Sequence, residues 1–164
     1  MLGSSTLSPD SALRLGSRRW RQVLLSPLLN SHSFTENAMA KQAIQSPDAP
    51  AAIGPYSQAI LAGNTLYMSG QIPLDPKTGQ LVEGIEAQAH QVFRNLRAVA
   101  GAGGATLNDI VKLSILLIDL ADFAKVNEIM ATYFEQPYPA RATYQVAGLP
   151  RGARIEVEAT IVKA

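Results

Sequence analysis

Arg141, Glu156 and Glu158 are the side chains of this sequence best suited to handling a small charged substrate. Arg141 follows Pro139-Ala140, and a guanidinium held at such a partly fixed point can grip a carboxylate through two parallel hydrogen bonds. Glu156 and Glu158 stand two apart in an alternating run, so they share one face of a strand; in a cleft, one of them could take a proton from an attacking water. Both patterns also have plainer origins, a surface salt bridge for the arginine and a solvated strand face for the acids, and spacing alone does not separate them. Gly54-Pro55-Tyr56-Ser57 and Ser69-Gly70-Gln71 add hydroxyls and flexible backbone that could line a polar pocket or only mark turns; neither matches a phosphate loop. The chain has no cysteine and two histidines, His32 and His90, with no partner at metal-ligand spacing. Thiolate nucleophiles, disulfides and cysteine-bound metals are therefore excluded, and no metal site is expected.

These groups must be positioned by short elements. Residues 57–61 and 66–72 flank Gly63-Asn64, a dipeptide that tolerates a tight turn, so the two runs read as a hairpin. Ile85, Ala89, Val92, Phe93, Leu96 and Val99 recur at three and four, which puts them on one face of a helix that Gly101, Gly103 and Gly104 end. Residues 110–118 form a continuous apolar, β-branched run, expected to be a strand central in the sheet and covered on both sides. Asp119 or Asp122 can cap a second helix bearing Phe123, Val126, Ile129, Met130, Tyr133 and Phe134 on one stripe, before Pro137 and Pro139 stop it. Residues 143–146 and 154–162 read as the last two strands. The sum is a strand-rich α+β fold with two helices on one face of the sheet.

Length bounds the organisation: 164 residues suffice for one well-cored domain and not for two ordinary ones. A hydrophobic share of 47% with 16% charged residues is that of a soluble globular protein, and no stretch approaches the roughly 20 apolar residues that span a bilayer. Charge is uneven along the chain. Residues 1–38 carry Arg14, Arg18, Arg19 and Arg21 against Asp10 and Glu36, and are rich in serine and leucine. That Arg-rich, Ser-rich, acid-poor composition reads as an organelle transit peptide, with the functional domain over residues 39–164. The arginines with Leu13, Leu15 and Trp20 suit a mitochondrial helix while the serines suit a plastid; the reading favours chloroplast over mitochondrion. Residues 39–164 carry ten basic and eleven acidic side chains, a poor footprint for nucleic acid.

Taken together, Ala52-Ile53-Gly54-Pro55-Tyr56-Ser57-Gln58-Ala59, Met68-Ser69-Gly70-Gln71-Ile72, Val126-Asn127-Glu128, Pro139-Ala140-Arg141 and Arg154-Ile155-Glu156-Val157-Glu158-Ala159 closely resemble the reactive intermediate deaminase A family, also called the YjgF family. The number, order and spacing of these pieces, over about residues 42–163, are specific in a way no single piece is. The resemblance implies a chorismate-mutase-like α+β subunit that assembles as a homotrimer with clefts shared between neighbours. It implies hydrolysis of 2-imino acids, the tautomers of enamines such as 2-aminoacrylate released by pyridoxal-phosphate dehydratases, to 2-keto acids and ammonia, with no metal or cofactor. The physiological role that follows is protection of pyridoxal enzymes and of branched-chain amino-acid (isoleucine) synthesis.

Carried over by position, Arg141 would clamp the substrate carboxylate and Glu156 would deprotonate the attacking water, with Glu158 structural. Tyr56 and Ser69 would line the pocket, Gly70 would allow close approach, and Asn127 would shape the cleft. Thr143 stands where several bacterial relatives have cysteine, so a thiol is not required. Two other readings stay open: an endoribonuclease or translation inhibitor, and a non-catalytic trimer that binds keto acids as a sensor or chaperone.

Overall fold

The computed structural model describes residues 40–164. The leader expected over residues 1–38, with His32, lies outside the described residues. The hairpin forms as its turn dictates: Gly63, at φ 60°, and Asn64 connect β2 (Ala59–Ala62) to β3 (Thr65–Gln71). Asn64 also ties the turn to the C-terminus, its side-chain amide donating to the Lys163 carbonyl at 3.1 Å while the Lys163 N–H donates to the Asn64 carbonyl at 2.8 Å. A short strand absent from the sequence reading, β1 (Gln42–Ile44), extends the hairpin on the far side of β2.

Helix α1 (Ile85–Ala102) buries the expected stripe from Ala89 on, with Ala89, Val92, Phe93, Leu96 and Val99 all at 0% exposure and Ile85, in the first turn, partly buried. It ends at Gly103, whose N–H donates to the Val99 carbonyl at 3.1 Å; a side chain there would run into Leu66 of β3, so glycine lets the helix end sit on the sheet. Three further elements follow: β4 (Ile110–Leu117), α2 (Phe123–Ala131) and β5 (Ala140–Gln145). The chain closes with β6 (Ile155–Val162). The six strands lie in the order β1-β2-β3-β6-β4-β5, antiparallel at every pairing except β4 with β5, which α2 joins as a parallel crossover.

Both helices pack on one face of this sheet, against a core that includes Leu66, Met68, Leu113, Ile115, Leu117, Ile155, Val157 and Ile161. Phe93 stacks at 5.1 Å on Tyr133 and meets Phe134 edge-on at 5.9 Å, linking α1 to the segment that follows α2. No helix among the described residues is long and apolar enough to cross a membrane.

Four expectations are corrected. Strand β4 is internal but covered on one face only: Val111 and Lys112 are exposed and Ser114 and Leu116 half-buried, because no element among the described residues packs on that side. Phe123 leaves the α2 stripe and is 40% exposed. Neither acid considered as a cap closes α2 with its side chain: Asp119 accepts the Ala121 N–H at 2.8 Å in the short turn before the helix, and Asp122, at the cap position, makes an ion pair with Arg154 at 2.7 Å instead. Strand β5 begins at Ala140, so Arg141 is a strand residue and its direction is set by strand register.

Candidate active site

On the face of the sheet away from the helices, the end of β3 and the start of β6 enclose a cavity of about 630 Å³ lined by Tyr56, Ser69, Gly70, Glu156 and Glu158, with Arg151 from the turn before β6. Strand alternation puts both glutamates on this face while Ile155, Val157 and Ala159 enter the core. The pairing of β3 with β6 is irregular between Met68 and Gln71, and Gly70 lies in that irregular stretch. A Cβ at Gly70 would coincide with the Glu156 carboxylate, so the missing side chain is what lets this carboxylate lie against the β3 backbone. Gly70 thus positions Glu156 as well as opening the pocket.

Removal from water pushes the Glu156 carboxyl above its ordinary value, and the Glu158 charge on the same face adds to the rise. The anion is a stronger base than an exposed carboxylate, the property a general base for water needs. Glu158, expected to be structural, also lines the cavity. Ser69 donates its hydroxyl hydrogen to the Ser57 carbonyl at 2.6 Å, which leaves its oxygen lone pairs as acceptors facing the cavity. Tyr56 accepts the Ile53 N–H at 3.3 Å and keeps its own O–H free to donate.

Arg141 is elsewhere. In the parallel register of β4 and β5 it pairs with Leu113 and Thr143 pairs with Ile115, both core residues, so the two side chains point to the helix face. There Arg141 donates to Asn127 Oδ1 at 2.7 Å, touches Met130 Sδ at 3.4 Å and lies 5.3 Å over the Phe123 ring, which explains why Phe123 stays outside the core. A second cavity of about 360 Å³ is lined by Asn127, Met130, Tyr138, Pro139 and Arg141. Thr143, two residues on, has a buried hydroxyl oxygen with no hydrogen-bond partner among the described residues. Within one chain Arg141, Asn127 and Thr143 thus gather on the helix side of the sheet, and Glu156, Ser69, Gly70 and Tyr56 on the other side.

Arg151 is the charged lining residue that the sequence reading missed, although Pro150-Arg151-Gly152 directly before the acidic strand is a turn signal that brings a cation to the mouth of any site on that strand. His90 is engaged with Tyr133, its Nδ1 lying 2.9 Å from the hydroxyl oxygen. Among the described residues no group of acids and histidines is arranged to hold a metal.

The chain matches the family described as Endoribonuclease L-PSP over residues 46–163. It is 45% identical over 158 residues to a protein of Arabidopsis thaliana named Reactive Intermediate Deaminase A, chloroplastic, covering 96% of this chain and 81% of that protein. It is 49% identical over 128 residues to the 2-iminobutanoate/2-iminopropanoate deaminase of Mus musculus, covering 77% of this chain and 95% of that protein. The crystal structure of RidA from an Antarctic Psychrobacter superposes with a TM-score of 0.73 at 51% identity, covering 74% of this chain and 98% of that one.

Proposed function

Since the chain belongs to the Endoribonuclease L-PSP family, and within it resembles the deaminases of reactive imines, we propose that it hydrolyses 2-imino acids such as 2-iminobutanoate and 2-iminopropanoate to 2-keto acids and ammonia. The observation that carries the reading is the half-buried Glu156 carboxylate seated over Gly70 with its proton affinity raised, beside the acceptor of Ser69 and the free donor of Tyr56. Glu156 takes a proton from water as the oxygen adds to the imine carbon and returns it to the nitrogen, giving the carbinolamine; the hydroxyl proton then passes through the same carboxylate to the nitrogen, so that ammonia leaves as the C–N bond breaks and the carbonyl forms. The Ser69 oxygen accepts from the imine N–H, and the Tyr56 hydroxyl donates to the developing carbinolamine oxygen. Removing reactive imines formed by pyridoxal-phosphate dehydratases is the physiological role proposed with this chemistry.

The clamp must come from another copy. Arg141 and Glu156 lie on opposite faces of one sheet, and the face that carries Glu156 also exposes Tyr67 at 54%, Tyr144 at 57%, Val111 at 46% and Val162 at 43%. A surface with that much exposed apolar area is made to be covered. We propose a homotrimer in which this face packs on neighbouring subunits, so that Arg141 of one chain, steadied by Asn127, grips the substrate carboxylate in the Glu156 cavity of the next. Thr143 adds its unpartnered hydroxyl to the same half-site.

Imine hydrolysis is preferred to RNA cleavage because a wall of two carboxylates repels a phosphodiester backbone, and residues 39–164 carry no basic surplus to offset it. For localisation we propose the chloroplast. The composition of residues 1–38 supports it, as does a match to the chloroplastic Arabidopsis protein that covers 96% of the chain and therefore runs into those residues. The deciding experiment measures ammonia release from 2-iminobutanoate generated in place by a threonine dehydratase. Acceleration by the chain, lost in Arg141→Ala, is the expected result; no acceleration by the folded chain would shift the reading to a keto-acid-binding sensor.

A further inference from the structure

We propose that Arg151 binds a second carboxylate on the substrate, so that the imines this chain accepts include those with an acidic side chain. The inference rests on the imine-hydrolysing reading above. Arg151 is the one residue other than glycine with a positive φ, 61°, among the described residues, a conformation that strains any side chain bearing a Cβ. The adjacent Gly152, at φ 74°, meets the same demand without strain. An arginine in the first of these two positions gives up backbone ease and gains a guanidinium at the cavity.

The base on which that guanidinium stands is fixed. The Ala153 N–H donates to the Pro150 carbonyl at 3.1 Å, the Arg154 N–H donates to Gln88 Oε1 at 2.9 Å, and Arg154 holds both oxygens of Asp122 at 2.9 and 2.7 Å. The two arginines of this segment therefore differ: Arg154 is consumed in an ion pair, while Arg151 has none among the described residues. Arg151 lines the cavity that Glu156 and Glu158 make anionic. With the α-carboxylate taken by Arg141 of another copy, the only charged side chains of the cavity lining left to face a side-chain carboxylate are the two glutamates, which repel it, and Arg151, which can receive it. At about 630 Å³ the cavity has room for a longer acidic side chain beyond the reacting carbon. The reaction is unchanged: water adds across C=N, the C–N bond breaks, ammonia leaves, and the second carboxylate is a bystander.

The test uses the full chain and two imines, 2-iminoglutarate generated from glutamate by a glutamate oxidase and 2-iminobutanoate generated by a threonine dehydratase. The readout is the ratio of kcat/KM on the first to that on the second. This ratio should fall about tenfold or more in Arg151→Gly, further in Arg151→Glu, and stay near the wild-type value in Arg151→Lys. Arg151→Gly should melt no lower than wild type, since glycine relieves the strained turn, so its loss is not one of folding. A ratio within about twofold of wild type in all three variants, or wild-type turnover of 2-iminobutanoate with none of 2-iminoglutarate, overturns the role of Arg151 and leaves the imine reading standing. Failure of the wild-type chain on both imines overturns the imine reading and this one with it.

Discussion

Replacing Gly70 by alanine separates the positioning of the catalytic carboxylate from the stability of the fold. The new methyl would fall on the Glu156 carboxylate oxygen, with the carboxyl carbon at 2.8 Å and Cγ at 3.1 Å, so the side chain must swing off β3 and into water. There it loses the desolvation that raises its proton affinity and the position from which it reaches the attacking water. General-base catalysis supplies about 10²–10⁴-fold, so kcat should fall by at least about 10², roughly 3 kcal/mol in activation free energy. Stability should hardly change. Gly70 has no positive φ, and alanine at a compatible site gains about 0.4–1 kcal/mol by restricting the unfolded chain, which offsets the local adjustment. Steady-state ammonia release and thermal denaturation, applied to Gly70→Ala, Glu156→Gln and the double variant, complete a cycle. If Gly70 acts through Glu156, the double variant is no slower than Glu156→Gln alone. Full activity in Gly70→Ala, or a further loss in the double variant with a raised KM, would mean that the glycine serves substrate access and not the carboxylate.

Glu156 also implies a trade of stability for function. The folded chain keeps its proton to a higher pH than the unfolded chain, so the group lowers stability as pH rises from the ordinary glutamate value through the raised one. Glu156→Gln should therefore melt higher than wild type at neutral pH, with the gap closing below about pH 4, while turnover is lost; an equal melting temperature at all pH values would contradict the raised value. Asn127→Ala removes the 2.7 Å hydrogen bond that steadies Arg141 and should raise KM roughly tenfold with a smaller effect on kcat, as steady-state kinetics will show; an unchanged KM would mean that Phe123 and Met130 hold the guanidinium unaided. Phe93→Ala empties a fully buried site between Tyr133 and Phe134 and should cost about 3–5 kcal/mol in urea denaturation; a change near zero would remove Phe93 from the core.

Sequence periodicity carried the elements whose signal is local. The α1 stripe from Ala89 to Val99, the Gly63-Asn64 turn and the alternation that pairs Glu156 with Glu158 are each set by neighbours a few residues away, and all form as read. What periodicity does not encode is which copy of the chain covers a surface. The run in β4 looks doubly buried because Val111 and Leu116 are apolar, yet one face is open in the single chain. The half-sites are illegible for the same reason: Arg141 lies 15 residues before Glu156 in sequence and on the other face of the sheet, a relation fixed by the parallel pairing of β5 with β4. For Arg151 the turn was legible in Pro150-Arg151-Gly152 but its positive φ was not, because that depends on the geometry of the whole turn and not on residue type.

The central claim, that one site is assembled from Arg141 of one chain and Glu156 of another, is tested most directly by mixing the two inactive variants. Arg141→Ala and Glu156→Gln chains, co-refolded at equal amounts, should each be inactive on 2-iminobutanoate alone. Together they should recover about one quarter of wild-type turnover, the share of interfaces at which both side chains are intact in a randomly mixed ring. No recovery, in mixed assemblies shown by mass to contain both chains, would contradict a shared site.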